Sequence, residues 1–173
     1  MTDKKKRTLA AALSLFASEG YNAVSTNRIA RTAKVSEGLI FRHFKNKKGL
    51  LDAIMKESEQ KLQQVLASIL ASSDTLEVIR LTIEFPLSIP KKEYDYWRLQ
   101  FKLKWEKAYN HTHKMLPLVE KLTWAFSELG YSHPEHEAKS LVHLLEGIAT
   151  EVLRDNLLEQ EAYCEFLLQK YLP

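Results

Sequence analysis

With a single cysteine, Cys164, in 173 residues, the chain cannot close an internal disulfide, and a cysteine-built zinc site is excluded with it. That thiol stands beside Tyr163 and Phe166 on an expected helix and reads as a small buried hydrophobe. Glycine and proline are scarce too, five of each. Apolar residues recur instead at spacings of three and four almost throughout, so the chain reads as all-α. No stretch approaches the roughly 18 consecutive apolar residues of a membrane span. The basic segment from Met1 to Arg7 is not followed by an apolar run of signal-peptide type. A cytoplasmic protein with no membrane partner is expected. Nucleophile elbow, phosphate loop, paired-glycine nucleotide motif and HExxH are all missing. His136 and His143 share a helix face two turns apart, too far to chelate one metal without a third ligand between them. No catalytic residue, no metal and no cofactor is therefore expected, and the chain does not read as an enzyme.

What is present is an uneven distribution of charge. The net charge is +3. Residues 1–50 hold 11 lysines and arginines against three acids, a net +8, while the remainder holds 14 against 19, a net −5. A short basic head on an acidic body points to a polyanion partner at one end only.

The helical pattern divides the chain finely. Leu9, Leu13 and Phe16 predict a first helix over 4–19, closed by Gly20. Ser25 or Thr26 caps a short second helix to Ala33, with Ile29 and Ala30 inward. Lys34 and Val35 make a turn, and Ser36 caps a third helix, 37–44, whose Ile40 and Phe44 lie four apart on one face. Three short helices with a tight turn between the last two form a helix-turn-helix. A long helix follows from Lys47 to about Ala71, then helices over about 76–88, 93–109, 114–129, 134–155 and 159–171. Pro86 is expected to kink or end the first of these early. The division expected is a helix-turn-helix domain over 1–46 and a helical bundle over 47–173, with the helix from Lys47 linking them.

A recognition helix enters the major groove with short or polar side chains near its N-terminus. With Ile40 and Phe44 turned inward, Ser36, Glu37, Leu39, Phe41 and His43 are left to face a nucleic acid, and Gly38 lets the backbone approach closely. Thr26, Asn27 and Arg28 open the preceding helix, where free backbone N–H groups favour a phosphate. Lys47 and Lys48 do the same at the start of the long helix. Glu37 has two readings: an acceptor for a cytosine amino group, or a carboxylate stabilising its own helix N-terminus.

Leu15-Phe16, Gly20-Tyr21, Ser25-Thr26, Ile29-Ala30, Ala33, Val35-Ser36, Gly38, Ile40-Phe41, His43-Phe44, Lys47 and Leu50-Leu51 together resemble the DNA-binding domain of the TetR family. The resemblance covers about the first fifty residues. It implies a regulator, usually a repressor, that binds double-stranded DNA at a palindromic operator as a homodimer and is released by a small-molecule effector. It places Thr26, Ser36, Gly38, Phe41, His43 and Lys47 at DNA-facing positions. The family usually carries Tyr at position 41, whose hydroxyl reaches a phosphate; Phe41 cannot, which leaves it a sugar or a thymine methyl.

Beyond the head, two faces draw attention. Leu141, Leu145, Ile148 and Val152 form a broad stripe on the helix after Pro134, and Phe166 belongs to the last helix. Such helices pack either on their own subunit or, as the resemblance implies, against a second copy in a four-helix interface. The aromatic segment around Phe85, Trp97, Phe101 and Trp105, with Trp124, is either core or the lining of an effector pocket. Arg98 on the same segment suits a polar or anionic effector, or equally a solvated face. An effector-free DNA-binding protein would carry the same basic head.

Overall fold

The computed structural model describes residues 2–104, 112–156 and 159–172. All regular structure among them is helical, in nine α-helices and two short 3-10 turns. The chain forms two compact units, each with its own core.

The first unit comprises residues up to 61 together with the segment from 92. It contains α1 (Asp3–Glu19), α2 (Thr26–Ala33), α3 (Glu37–Phe44), the first half of α4 (Lys47–Ala71) and, later in the chain, α6 (Tyr94–Leu103). Helix α1 is alanine-rich and buries Leu13 and Phe16. It stops at Gly20, whose φ of +90° is open to glycine and whose N–H donates to the Phe16 carbonyl at 3.0 Å. Ser25 caps α2 by accepting the Arg28 N–H at 3.2 Å. After Ala33 the backbone reverses through Lys34 at φ +53°, and the Val35 N–H returns to the Ala30 carbonyl at 3.0 Å.

Ser36 occupies the N-cap position of α3 in extended backbone, but its side chain makes no capping bond. Asn46 takes that task for α4, accepting the Gly49 N–H through Oδ1 at 2.8 Å. Gly49 is required by close approach: a Cβ there would stand 2.0 Å from the Phe44 carbonyl oxygen.

Ala12, Phe16, Ile29, Ile40, Leu50, Leu51 and Ile54 meet in one core. The same core takes Leu99 and Leu103 from α6, both almost wholly buried. The three-helix head expected from the sequence thus shares its interior with a helix some fifty residues downstream. Lys102 of α6 also donates to the Ser18 carbonyl at the end of α1, at 2.7 Å.

The second unit joins the remainder of α4 to α5 (Thr75–Leu87), α7 (Leu116–Glu128), α8 (Pro134–Leu153) and α9 (Gln160–Tyr171). Asp74 caps α5, accepting the N–H groups of Leu76 and Glu77 at 2.9 and 3.2 Å. Pro86 lies inside the last turn of α5, which ends one residue later. Helix α5 packs against α7, α8 and α9, and α7 against α8. Val78, Ile79, Ile83, Leu122, Phe126, Leu141 and Val152 fill the space between them. Gly130, at φ +78°, ends α7, with the Tyr131 N–H donating to the Phe126 carbonyl at 3.0 Å. No helix among the described residues is long and apolar enough to cross a membrane.

Candidate nucleic-acid interface

Helices α2 and α3 present the side chains that matter. Ile40 and Phe44 are buried, which turns Gly38, Phe41, Arg42 and His43 outward. Phe41 is 47% exposed, far more than an aromatic ring with a place in the core would be. A Cβ built on Gly38 would find nothing within 4 Å, so this part of the helix surface is open. Ser36 is exposed and Leu39 half-buried beside them.

Glu37 faces the neighbouring helix. Its carboxylate accepts the Thr26 hydroxyl at 2.6 Å through Oε1 and the Asn27 amide at 3.4 Å through Oε2. The N-termini of α2 and α3 are thereby tied together by a charge-assisted bond. Neither role read for Glu37 from the sequence includes this tie. The information lay eleven residues away, in Thr26.

The basic side chains divide by partner. Arg28 pairs with Glu19 at 2.5 Å, and Lys48 with Asp52 at 2.8 Å, both at the surface. Lys47 is half-buried and points inward. Its Nζ donates to the Tyr21 carbonyl at 2.9 Å and the Val24 carbonyl at 3.0 Å, and stands 4.3 Å from the centre of the Tyr21 ring. Lys47 therefore closes the α1–α2 loop onto the start of α4. Burial raises the Tyr21 hydroxyl above its ordinary range, with the Asp52 charge adding to it. Arg42 on α3, exposed and cationic, was missing from the residues picked out by pattern, although its position beside Phe41 and His43 places it on the same helix.

The other candidates are distributed more widely. Trp97 is buried and Arg98 and Phe101 half-buried in the first unit. Arg98 lies 3.6 Å from Asp95 and over the Tyr94 ring. Phe85 and Trp124 belong to the second unit, where Lys121 covers the Trp124 ring at 4.2 Å. Trp105 lies outside the described residues. An open groove of about 570 Å³ in the second unit is lined by Glu84, Leu87, Ser88, Glu159, Gln160, Glu161 and Cys164, and by none of these aromatic candidates. Burial and the Glu84 charge push the Cys164 thiol up, which keeps it protonated. Of the stripe residues, Leu141, Leu145, Ile148 and Val152 are buried within the chain itself, whereas Phe166 is 55% exposed. No group of three or more His, Cys, Asp or Glu among the described residues is placed to hold a metal ion.

Comparison with known proteins agrees with this geometry. Residues 9–54 match the family described as bacterial regulatory proteins, tetR family. An uncharacterized HTH-type transcriptional regulator, YvkB of Bacillus subtilis, is 42% identical over 66 residues, covering 38% of this chain and 35% of that protein. The sequence match therefore spans about a third of the curated relative. The fold match extends further. A TetR-like transcriptional regulator from Rhodococcus sp. RHA1 superimposes with a TM-score of 0.82 over 96% of this chain and 92% of its own, at 20% identity. AibR in complex with isovaleryl coenzyme A and operator DNA does so with a TM-score of 0.71 over 98% of both chains, at 19% identity. The helix-turn-helix segment, residues 9–54, thus belongs to the TetR family by sequence, and the chain as a whole shares the fold of TetR-like regulators.

Proposed function

We propose that this chain is a DNA-binding transcription regulator that grips a palindromic operator as a homodimer and is released from it by a small-molecule effector, in most settings acting as a repressor. The outward face of α3 carries this reading: an open glycine, an exposed ring, a cation and an imidazole on a helix whose other side is locked into the core. Such a face has no structural task of its own, and its dimensions and chemistry suit the major groove. The net +8 of the first fifty residues supplies the attraction to phosphate.

Ser36, Gly38, Leu39, Phe41 and His43 are the groove-facing side chains in this reading. Thr26, Asn27, Arg28, Lys47 and Lys48 frame them at the starts of α2 and α4, and Glu37 holds the frame together. One short helix reads only a few base pairs, so two copies are needed for specificity. Phe166 offers exposed apolar area for the second copy, and Leu144 of α8 is 36% exposed as well. Leu141, Leu145, Ile148 and Val152 then back that face from inside. The effector is an unidentified small molecule. AibR shares the fold and is seen with an acyl coenzyme A and operator DNA together, which makes a coenzyme A thioester the first class of compound to screen.

Fluorescence anisotropy with DNA from upstream of its own gene, against a scrambled duplex at two salt concentrations, tests the reading. Salt-sensitive binding that favours the upstream DNA is expected. Equal weak binding to both would reduce the head to electrostatic adhesion.

A further inference from the structure

Arg42 is the only lysine or arginine of α3. It follows Gly38 by four residues, so the two share a helix face. Long side chains on a helix lean back toward its N-terminus, and the space above Gly38 is open to the Arg42 side chain, since a Cβ there would meet nothing within 4 Å. The guanidinium thus has a clear path toward the N-terminal end of α3, the end a recognition helix offers to base edges. The carboxylates of the head are already engaged. Asp3 holds Arg7, Glu19 holds Arg28, Glu37 holds Thr26 and Asn27, and Asp52 holds Lys48. No ion pair among the described residues takes up Arg42, in contrast to Arg28 and Lys48.

We propose that Arg42 reads a guanine of the operator half-site, donating two parallel N–H bonds to its O6 and N7 in the major groove. The planar fork of a guanidinium matches that acceptor pair, and no other base presents it there. This rests on the assignment of α3 as the DNA-docking helix and goes beyond it by naming the residue and the base. A phosphate contact is the other use of a free guanidinium, and it has a different signature: it carries no sequence information and loses affinity evenly across sequences.

The test uses the full chain and an operator selected from a random DNA pool, with each half-site guanine replaced in turn by 7-deazaguanine, which lacks the N7 acceptor. The native chain is expected to lose roughly 5- to 100-fold in affinity at one guanine per half-site. Arg42→Ala, and Arg42→Gln as a second variant, bind the guanine and 7-deazaguanine versions of that site equally. Both keep the native unfolding midpoint, because the side chain is exposed. A uniform loss over all sequences, with a salt slope smaller by about one, would put Arg42 on a phosphate and overturn the proposal while leaving the regulator reading intact. Absence of any selected sequence for the native chain would overturn both.

Discussion

Glu37 and Thr26, eleven residues apart in the chain, meet through a hydroxyl-to-carboxylate hydrogen bond of 2.6 Å. That bond sets the spacing between the first turns of α2 and α3, the two elements proposed above to approach DNA together. It also occupies the one acid on α3, so that the exposed face of this helix carries no free carboxylate.

Breaking the tie should loosen the head without unfolding it. Glu37→Ala is expected to cost about 1 kcal/mol, the net worth of a partly exposed charge-assisted bond. Thr26→Val should cost about the same, and the double variant less than the sum of the two. Chemical denaturation of the four proteins of this cycle checks it. Strict additivity would mean that the two side chains do not act on each other.

Gly49 is the most restrictive position in the head. Its missing side chain lets the start of α4 sit against the Phe44 carbonyl, where a Cβ would be only 2.0 Å away. Gly49→Ala must therefore push α3 and α4 apart, with an expected loss of about 1–3 kcal/mol from overpacking and weaker DNA binding alongside. Thermal unfolding of this variant is the direct measurement; an unchanged midpoint would show that the close approach does not exist.

Lys47 and Lys48 are neighbours with opposite attachments, and variants should separate them. Lys47→Met strands two carbonyls, of Tyr21 and Val24, and removes a cation from the Tyr21 ring. A stability loss of about 1–2 kcal/mol is expected. Lys48 only pairs with Asp52 at the surface, so Lys48→Ala should alter stability by no more than a few tenths of a kcal/mol. Unfolding curves decide this independently of any DNA measurement.

Leu103→Ala tests whether α6 belongs to the head. Leu103 is fully inside the core that holds Phe16, Ile40 and Leu50. A loss of about 2–5 kcal/mol is expected from the cavity, with amide exchange in α1 speeding up in step. A variant that leaves α1 protected would detach α6 from that core.

The α4–α6 contact adds a dependence on pH. The half-buried Tyr96 donates its hydroxyl to Glu57 of α4 at 2.7 Å; partial burial first, then that bond, raises its pKa well above the ordinary tyrosine value. A raised folded-state pKa means full stabilisation below the unfolded value near 10.0, lost as pH climbs beyond it toward the folded value. The unfolding midpoint should therefore fall above pH ~10, and Tyr96→Phe should fall less steeply. Equal slopes would place the alkaline loss elsewhere.

Helix positions were legible in the chain because capping and periodicity are local. Ser25, Gly20 and Pro134 stand at the ends they signal. Ile40 and Phe44 likewise announce which side of α3 is core. Contacts across the chain were not legible. Nothing local in Lys47 says that its ammonium turns inward to two carbonyls, and nothing local in Leu103 assigns it to a core built by residues before 60. The stripe of Leu141, Leu145, Ile148 and Val152 shows a related limit: periodicity reports burial, and burial against the same subunit has the same period as burial against a second one.

Selection from a random DNA pool with the full-length chain tests the central claim most directly. An enriched motif with two-fold symmetry is expected, its half-sites about one helical turn or somewhat more apart. Enrichment of no sequence at all would contradict the assignment of α3 as a reading helix.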